Sequence, residues 1–390
     1  MELTQIAHSL GISQYPSALN ELYASGNLCD PCDPALLEEL QALHNILGPY
    51  YGITRQAMLS LPKDPCRYAW AKVVATYLFT APVELASKVP MPATDGTTVG
   101  DLLPLLILLP QIPVAVEAYR SKGFSPEAVA ELTQVYGRCI AIVEKILGRP
   151  GINQLYYWWL CLYAKASIFH CGSFQFELRQ LPEDTVFLQS LSSDALVPLM
   201  VTGTYHRSGQ VLGCGSYTDP QGAFSVSLRE TEDAWYGFPA IDGIVSPKET
   251  CFPKTQWRCA LRPGDTVLSM HIAKGANLSP AALDNILIQA TEIARRSFPQ
   301  WNTNAIHCRS WLLDPVLCDI LGENSNIARF GSRFFRHPIR SNGRKGFDYV
   351  FPSGVPDAQL PETTRLQRGL KAHYLAGGGV YGCAGAFIIK

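Results

Sequence analysis

Charged residues are in short supply in this sequence. Only 17% of its 390 residues are Asp, Glu, Lys or Arg, against about a quarter in an ordinary globular domain. The formal net charge is −1, so there is no basic footprint, and nucleic acid is not expected as a partner. Runs of like charge, internal repeats and low-complexity segments are missing as well. The start, Met1-Glu2-Leu3, lacks a basic region leading into a long apolar core, so no secretory leader is expected. The 8 histidines are scattered and none sits in an H-E-x-x-H pattern, which leaves no expectation of a metal. Cys29-Asp30-Pro31-Cys32 is a lone CxxC with no second pair and no βαβ context, a weak redox or zinc signal. The 12 cysteines otherwise have no framework spacing. Several, such as Cys139, Cys161, Cys259 and Cys318, fall in apolar runs, where a free thiol acts as a small buried hydrophobe. Reduced thiols and a cytoplasmic location are the expectation. Two apolar stretches, Leu102 to Val116 and Leu155 to Cys171, fall short of the roughly 20 residues of a membrane span. They read as buried helices, with no membrane as partner.

Apolar residues, at 47%, are abundant enough to give a chain of this length two cores. Residues 1–165 read as an α-helical domain. Its periodic segments are Leu3 to Leu10, Pro16 to Tyr23, Pro34 to Leu47, Asp64 to Ala86, Leu102 to Arg120, Ser125 to Leu147 and Tyr156 to Ile168. Near Phe169 the period changes: Phe174, Phe176 and Leu178 alternate with polar residues, as in a half-buried strand. Residues 166–390 therefore form a second, mixed domain. Val186 to Leu191, Leu199 to Tyr205 paired with Val211 to Ser216, Phe224 to Leu228 and Thr255 to Leu261 read as antiparallel strands. Later, Asn326 to Arg333, Phe347 to Phe351 and Gly385 to Ile389 read as strands, and Thr363 to Leu375 as a helix.

The second domain is organised around Val267 to Phe334. A strand over 266–272 ends at Gly275; Ser279-Pro280 supplies a helix cap and a first-turn proline. Helical spacing then runs from Ala281 to Phe298, and Ala305 to Leu313 reads as the next strand. Such a unit makes two parallel neighbours with a right-handed crossover. The loop after its first strand delivers backbone N–H groups and a helix N-terminus to one place, which attracts phosphate. His271 and His307 fall on the two parallel strands, and a histidine in a cleft can act as a general base. A histidine bonded to backbone is the alternative for each. Ser310 is a second catalytic candidate, although Arg309-Ser310-Trp311 lacks the glycines of a serine nucleophile elbow. Asp314-Pro315 reads as a helix cap and first-turn proline.

The runs HIAKGANLSPAAL, CRSWLLDP, SNIARFGSRFF and TTRLQRGLKAHYLAGGG resemble the C-terminal domain of a bacterial family of acyltransferase-domain proteins. That domain is GNAT-like, similar to the GNAT N-acyltransferases. The resemblance implies an α+β chain, with a helical N-terminal domain followed by a GNAT-like mixed sheet. It implies that the parallel strands splay apart to admit acyl-CoA, or an acyl carrier protein, and that the acyl group passes to a small-molecule or peptide amine. It implies that Ile272, Lys274, Gly275, Ala276, Asn277, Leu278 and Ser279 hold the CoA pyrophosphate, with His271 as base. Two features depart from the pattern. Ile272 and Asn277 replace a Gln or Arg and a small residue in the loop, and Val316 to Leu321 lacks the tyrosine acid of many GNAT enzymes, for which Tyr374 could substitute only by folding over the cleft. The departures leave open a catalytically inactive module that binds an acyl ligand or a protein partner.

Overall fold

The structure, a computed structural model, describes residues 1–390 apart from Glu183, Ser353 and Lys390. The chain divides into two compact units, Met1–Phe169 and His170–Lys390. The first carries helices α1 (Leu3–Ser9), α2 (Ala18–Ser25), α3 (Pro34–His44), α4 (Tyr51–Ser60), α5 (Pro65–Thr80) and α6 (Val83–Ala86). It continues with α7 (Thr98–Leu108), α8 (Ile112–Ser121), α9 (Pro126–Thr133), α10 (Val135–Leu147) and α11 (Gln154–Ala164). Asp33, Asp64 and Ser125 each accept a backbone N–H of the turn they start, and each precedes a first-turn proline; caps of this kind contribute about 1 kcal/mol. Four expectations need correction. The segment Asp64 to Ala86 breaks at Ala81-Pro82, because a proline bars the helical conformation to the residue before it. Ser125 to Leu147 divides at Gln134, and α4 was not anticipated. The fourth concerns length: the helical run Thr98–Ser121 is 24 residues and long and apolar enough to cross a bilayer. Its Pro104 lies inside α7, and a short 3-10 turn, Leu109–Gln111, joins it to α8. The run is mostly buried within the protein, with all of Leu102 to Leu109 at most 1% exposed among its apolar residues, so its apolarity serves the core.

The second unit is built on strands, the first of which begins at the boundary itself. In order they are β1 (Ile168–Cys171), β2 (Phe174–Gln180), β3 (Thr185–Ser190), β4 (Leu196–Met200), β5 (Thr202–Tyr205), β6 (Phe224–Ser227), β7 (Arg229–Glu230) and β8 (Ala234–Ile241). There follow β9 (Ile244–Val245), β10 (Thr250–Pro253), β11 (Trp257–Leu261), β12 (Thr266–Ile272), β13 (Ala305–Ser310), β14 (Phe335–Pro338) and β15 (Cys383–Ile388). Helices α12 (Pro280–Ser297), α13 (Val316–Leu321), α14 (Asn326–Gly331), α15 (Phe347–Val350) and α16 (Arg365–Leu375) lie among the last of them. One sheet has the order β1-β2-β12-β13-β15-β14 and a second β10-β8-β4-β3-β11.

Three segments differ from the sequence reading. Asn326 to Arg333 is helical, not extended: Ser325 caps it by accepting from the Ala328 N–H, and Phe330 is buried. Phe347 to Phe351 is a single turn whose Phe347 and Phe351 rings, at helical spacing, pack on each other and on Tyr374. Val211 to Ser216 does not return as a strand. The expected return is limited to one antiparallel bridge, Tyr205↔Val211, and β5 pairs along its length with β6; Gly213 and Gly215 take positive φ and turn the chain out of extended geometry.

Alternation along β12 divides its side chains between two faces. Leu268, Met270 and Ile272 face one way, beside Leu178, Phe176 and Phe174 of β2. Val267, Ser269 and His271 face the other, beside Arg179, Glu177 and Gln175. On that second face Val267 and Ala305 pack with Phe187, Leu196 and Leu261 of the second sheet. The first face is left for the crossover helix α12, whose Leu283, Leu287, Ala290 and Ala294 form a buried stripe. The sheet thus has one apolar face and one face that becomes polar toward the ends of β12 and β13.

Candidate active site

β12 and β13 are parallel and pair at two positions, Leu268↔Ile306 and Ser269↔His307. Each is fully paired on its outer side. β12 meets β2 from Thr266↔Gln180 to Ile272↔Phe174, and β13 meets β15 from Ala305↔Ile388 to Ser310↔Cys383. Beyond Ser269 and His307 the two strands keep extended geometry, held from outside, and no longer pair with each other. A wedge opens there between Met270–Ile272 and Cys308–Ser310.

His271 stands on one wall of the wedge, on its polar face. Its Nε2 lies 2.8 Å from Glu177 Oε2. Glu177 is 5% exposed, while the His271 side chain retains 26%, so a buried carboxylate holds a partly accessible imidazole. Because Glu177 pairs with Ser269 across β2 and β12, it lies diagonal to His271, within reach of a long side chain. The sequence reading missed Glu177. The alternation of Phe174, Phe176 and Leu178 placed it on the polar side, which at a sheet surface ordinarily means solvent; only the β2–β12 register brings it to His271.

The loop 273–279 follows β12 directly. Gly275 has φ +83° and open space where a Cβ would stand. The Ala276 N–H is engaged by the Ala273 carbonyl, and the Ser279 N–H by Asn277 Oδ1. Those of Asn277 and Leu278 meet no protein acceptor among the described residues. Lys274 is exposed. Ser279 occupies the cap position of α12, but its side chain makes no capping bond; Asn277 does the local hydrogen bonding instead. Ile272 ends β12 with its side chain on the apolar face.

Ser310, on the opposite wall, accepts the Leu312 N–H through its Oγ and starts the turn Trp311–Leu313. The structure gives it the work of a cap. Asp314 does more than cap α13: Oδ1 accepts from Val316 N–H, and Oδ2 accepts from Tyr381 N–H at 2.6 Å. Burial raises its carboxyl to about 6, against the two N–H bonds that favour the charged form. Tyr374 is buried, at 7% exposed. It packs in a separate cluster with Leu317, Phe351, Leu360, Leu370 and Val380, and burial pushes its hydroxyl up to about 12. His307 and His337 share the polar face. Both are buried; desolvation holds His307 well below the usual histidine range and lowers His337 to about 4. Among the described residues no group of three or more His, Cys, Asp or Glu is placed to hold a metal.

Residues 168–387 match the model of the GNAT-like C-terminal domain family. They make up more than half of the chain, which belongs to that family. No curated protein matches it significantly. Among solved structures it is similar to an acyltransferase mutant in complex with octanoyl-CoA, with a TM-score of 0.63 at 16% identity, covering 100% of each chain. It is similar also to an acyltransferase in complex with decanoyl-CoA and teicoplanin (TM-score 0.62, 16% identity, 99% of each chain). A third match is an acyltransferase in complex with decanoyl-CoA (TM-score 0.62, 18% identity, 100% of each chain). At these identities the likeness is one of fold, and it spans both units.

Proposed function

We propose that the protein transfers an acyl group from acyl-CoA to an amine. The observation that carries this reading is the His271–Glu177 pair on the wall of the wedge where β12 and β13 part. A thioester is already activated, so the site has to position it, take a proton and stabilise the developing oxyanion. In the proposed reaction the amine nitrogen bonds to the thioester carbon, its proton goes to the His271 imidazole, and the C–S bond breaks to release CoA, whose sulfur regains a proton. Glu177 orients the imidazole and stabilises its charged form. The pyrophosphate lies at Lys274 to Ser279, where the Asn277 and Leu278 N–H groups and the positive end of α12 favour an anion. Gly275 gives the backbone a close approach there. The fold shared with structures holding octanoyl-CoA and decanoyl-CoA supports an acyl chain of similar length. The glycopeptide in one of them supports a large amine-bearing acceptor. An acyl carrier protein is the alternative donor.

The test is release of CoA thiol from octanoyl-CoA and decanoyl-CoA in the presence of a pool of amines. Amine-dependent release that disappears in His271→Ala is expected. The absence of a tyrosine from α13, and the burial of Tyr374 elsewhere, favour a second reading in which the wedge binds an acyl ligand without turnover. Tight binding of acyl-CoA with no thiol released under any amine would establish that reading in place of the first.

A further inference from the structure

His307 is a buried polar side chain for which acyl transfer, as read above, has no use. It belongs to the last residue pair before the wedge opens, opposite Ser269, and it is 1% exposed. Alternation puts its ring on the same face as Ser269 and His271. Its Nδ1 is buried with no hydrogen-bond partner among the described residues. A buried polar atom left unsatisfied destabilises a fold, so one that persists in a fully paired strand requires an explanation. Burial, and then the nearby positive charge of Arg309, keep the ring neutral. A neutral imidazole has one N–H to donate and brings no buried charge with it.

We propose that the Nδ1–H of His307 hydrogen-bonds the carbonyl oxygen of the acyl thioester at the apex of the wedge and holds that oxygen as it gains negative charge. The inference rests on reading the wedge as the acyl-thioester site. It divides the work between the two strands, with the base on β12 and the oxygen-binding donor on β13. His307 gives a hydrogen bond and loses no proton: the amine proton still goes to His271, and the oxyanion collapses as the C–S bond breaks.

The test compares octanoyl-CoA with S-octyl-CoA, the thioether that lacks the carbonyl, by calorimetric titration. The natural protein should prefer the thioester by about tenfold, the scale of one hydrogen bond in a dry site. His307→Leu should remove most of that preference and leave the affinity for CoA itself unchanged, with a Tm equal to or above that of the natural protein, because the orphaned nitrogen is gone. His307→Asn, whose amide reaches the place of Nδ1, should restore part of the preference. His307→Gln, whose amide reaches the place of Nε2, should not. If His307→Leu does not fold, the Asn and Gln variants decide. An unchanged preference in the variants, or none in the natural protein, overturns the proposal while acyl-CoA binding stands. A natural protein that binds neither compound overturns both this proposal and the acyl-CoA reading beneath it.

Discussion

In the unit Met1–Phe169 the buried polar residues are Thr54, Ser87, Asp101, Gln111 and Thr133. In His170–Lys390 they include Glu177, Ser269, His307, Asp314 and His337. Each unit therefore buries carboxylates, but ties them to different partners. Asp101 is paired with Arg149 and accepts the Gly96 N–H, an arrangement that pins one loop to another. Glu177 is paired with an imidazole that keeps contact with solvent, an arrangement that holds the ring in one orientation. A guanidinium only donates hydrogen bonds, whereas a neutral imidazole donates at one nitrogen and accepts at the other.

The widest separation should come from changing one residue in each unit. His271→Ala is expected to lower amine-dependent thiol release by about 100- to 10,000-fold, the range of a lost general base, with the Tm nearly unchanged. Steady-state kinetics beside thermal unfolding checks it, and loss of folding would make His271 a core residue. Leu106→Ala, at a fully buried position of α7, should do the reverse. It should destabilise by about 2–5 kcal/mol through the cavity it leaves and leave CoA affinity at 25 °C where it was. Denaturant unfolding and titration with CoA measure the two sides.

Gly275→Val tests the loop. Valine at φ +83° is strained and would place a branched side chain where the pyrophosphate is proposed to lie. CoA affinity should fall by tenfold or more, on the order of 1.4 kcal/mol. Equal affinities for the two proteins, both folded, would remove the loop from the site.

The last effect concerns pH. His337 is lowered to about 4 and His307 well below its usual value, both by burial. In each case the unfolded chain takes up the proton first as pH falls, so stability is complete above about 6.5 and is lost toward 4, at roughly 1.4 kcal/mol per pH unit for each group. Asp314, raised to about 6, works in the opposite sense and stabilises as pH falls from 6 to 4. Both kinds of group titrate between pH 7 and pH 5, so the histidine is isolated by its own variant. His337→Gln should reduce the stability lost over that interval by about 2 kcal/mol. Urea unfolding at the two values is the measurement, and an unaltered slope would mean that His337 titrates normally in the folded protein.

Much of the frame was legible in the residues. β12 was expected at 266–272 and is found there, and Ser279-Pro280 marked the start of α12 within one residue. Ser325 and Phe347 show where reading failed. Short helices of 4 to 6 residues contain too few turns for a period to be told from alternation. In Val211 to Ser216 the apolar residues suggested a strand, and two glycines in left-handed geometry prevented one.

By itself the sequence determined the local matters: a helical first half, the change of period near Phe169, and the strand–loop–helix–strand with its glycine and proline. Each is written in residues adjacent along the chain, within reach of one turn or one strand. Only the tertiary structure decided that Glu177 meets His271 across 94 positions, and that β12 and β13 part after Ser269 and His307. It also decided that the His307 Nδ1 is buried without a partner among the described residues. Those outcomes depend on sheet register and on which neighbours hold each strand from outside. A strand's own residues carry its alternation but not the identity of what lies beside it.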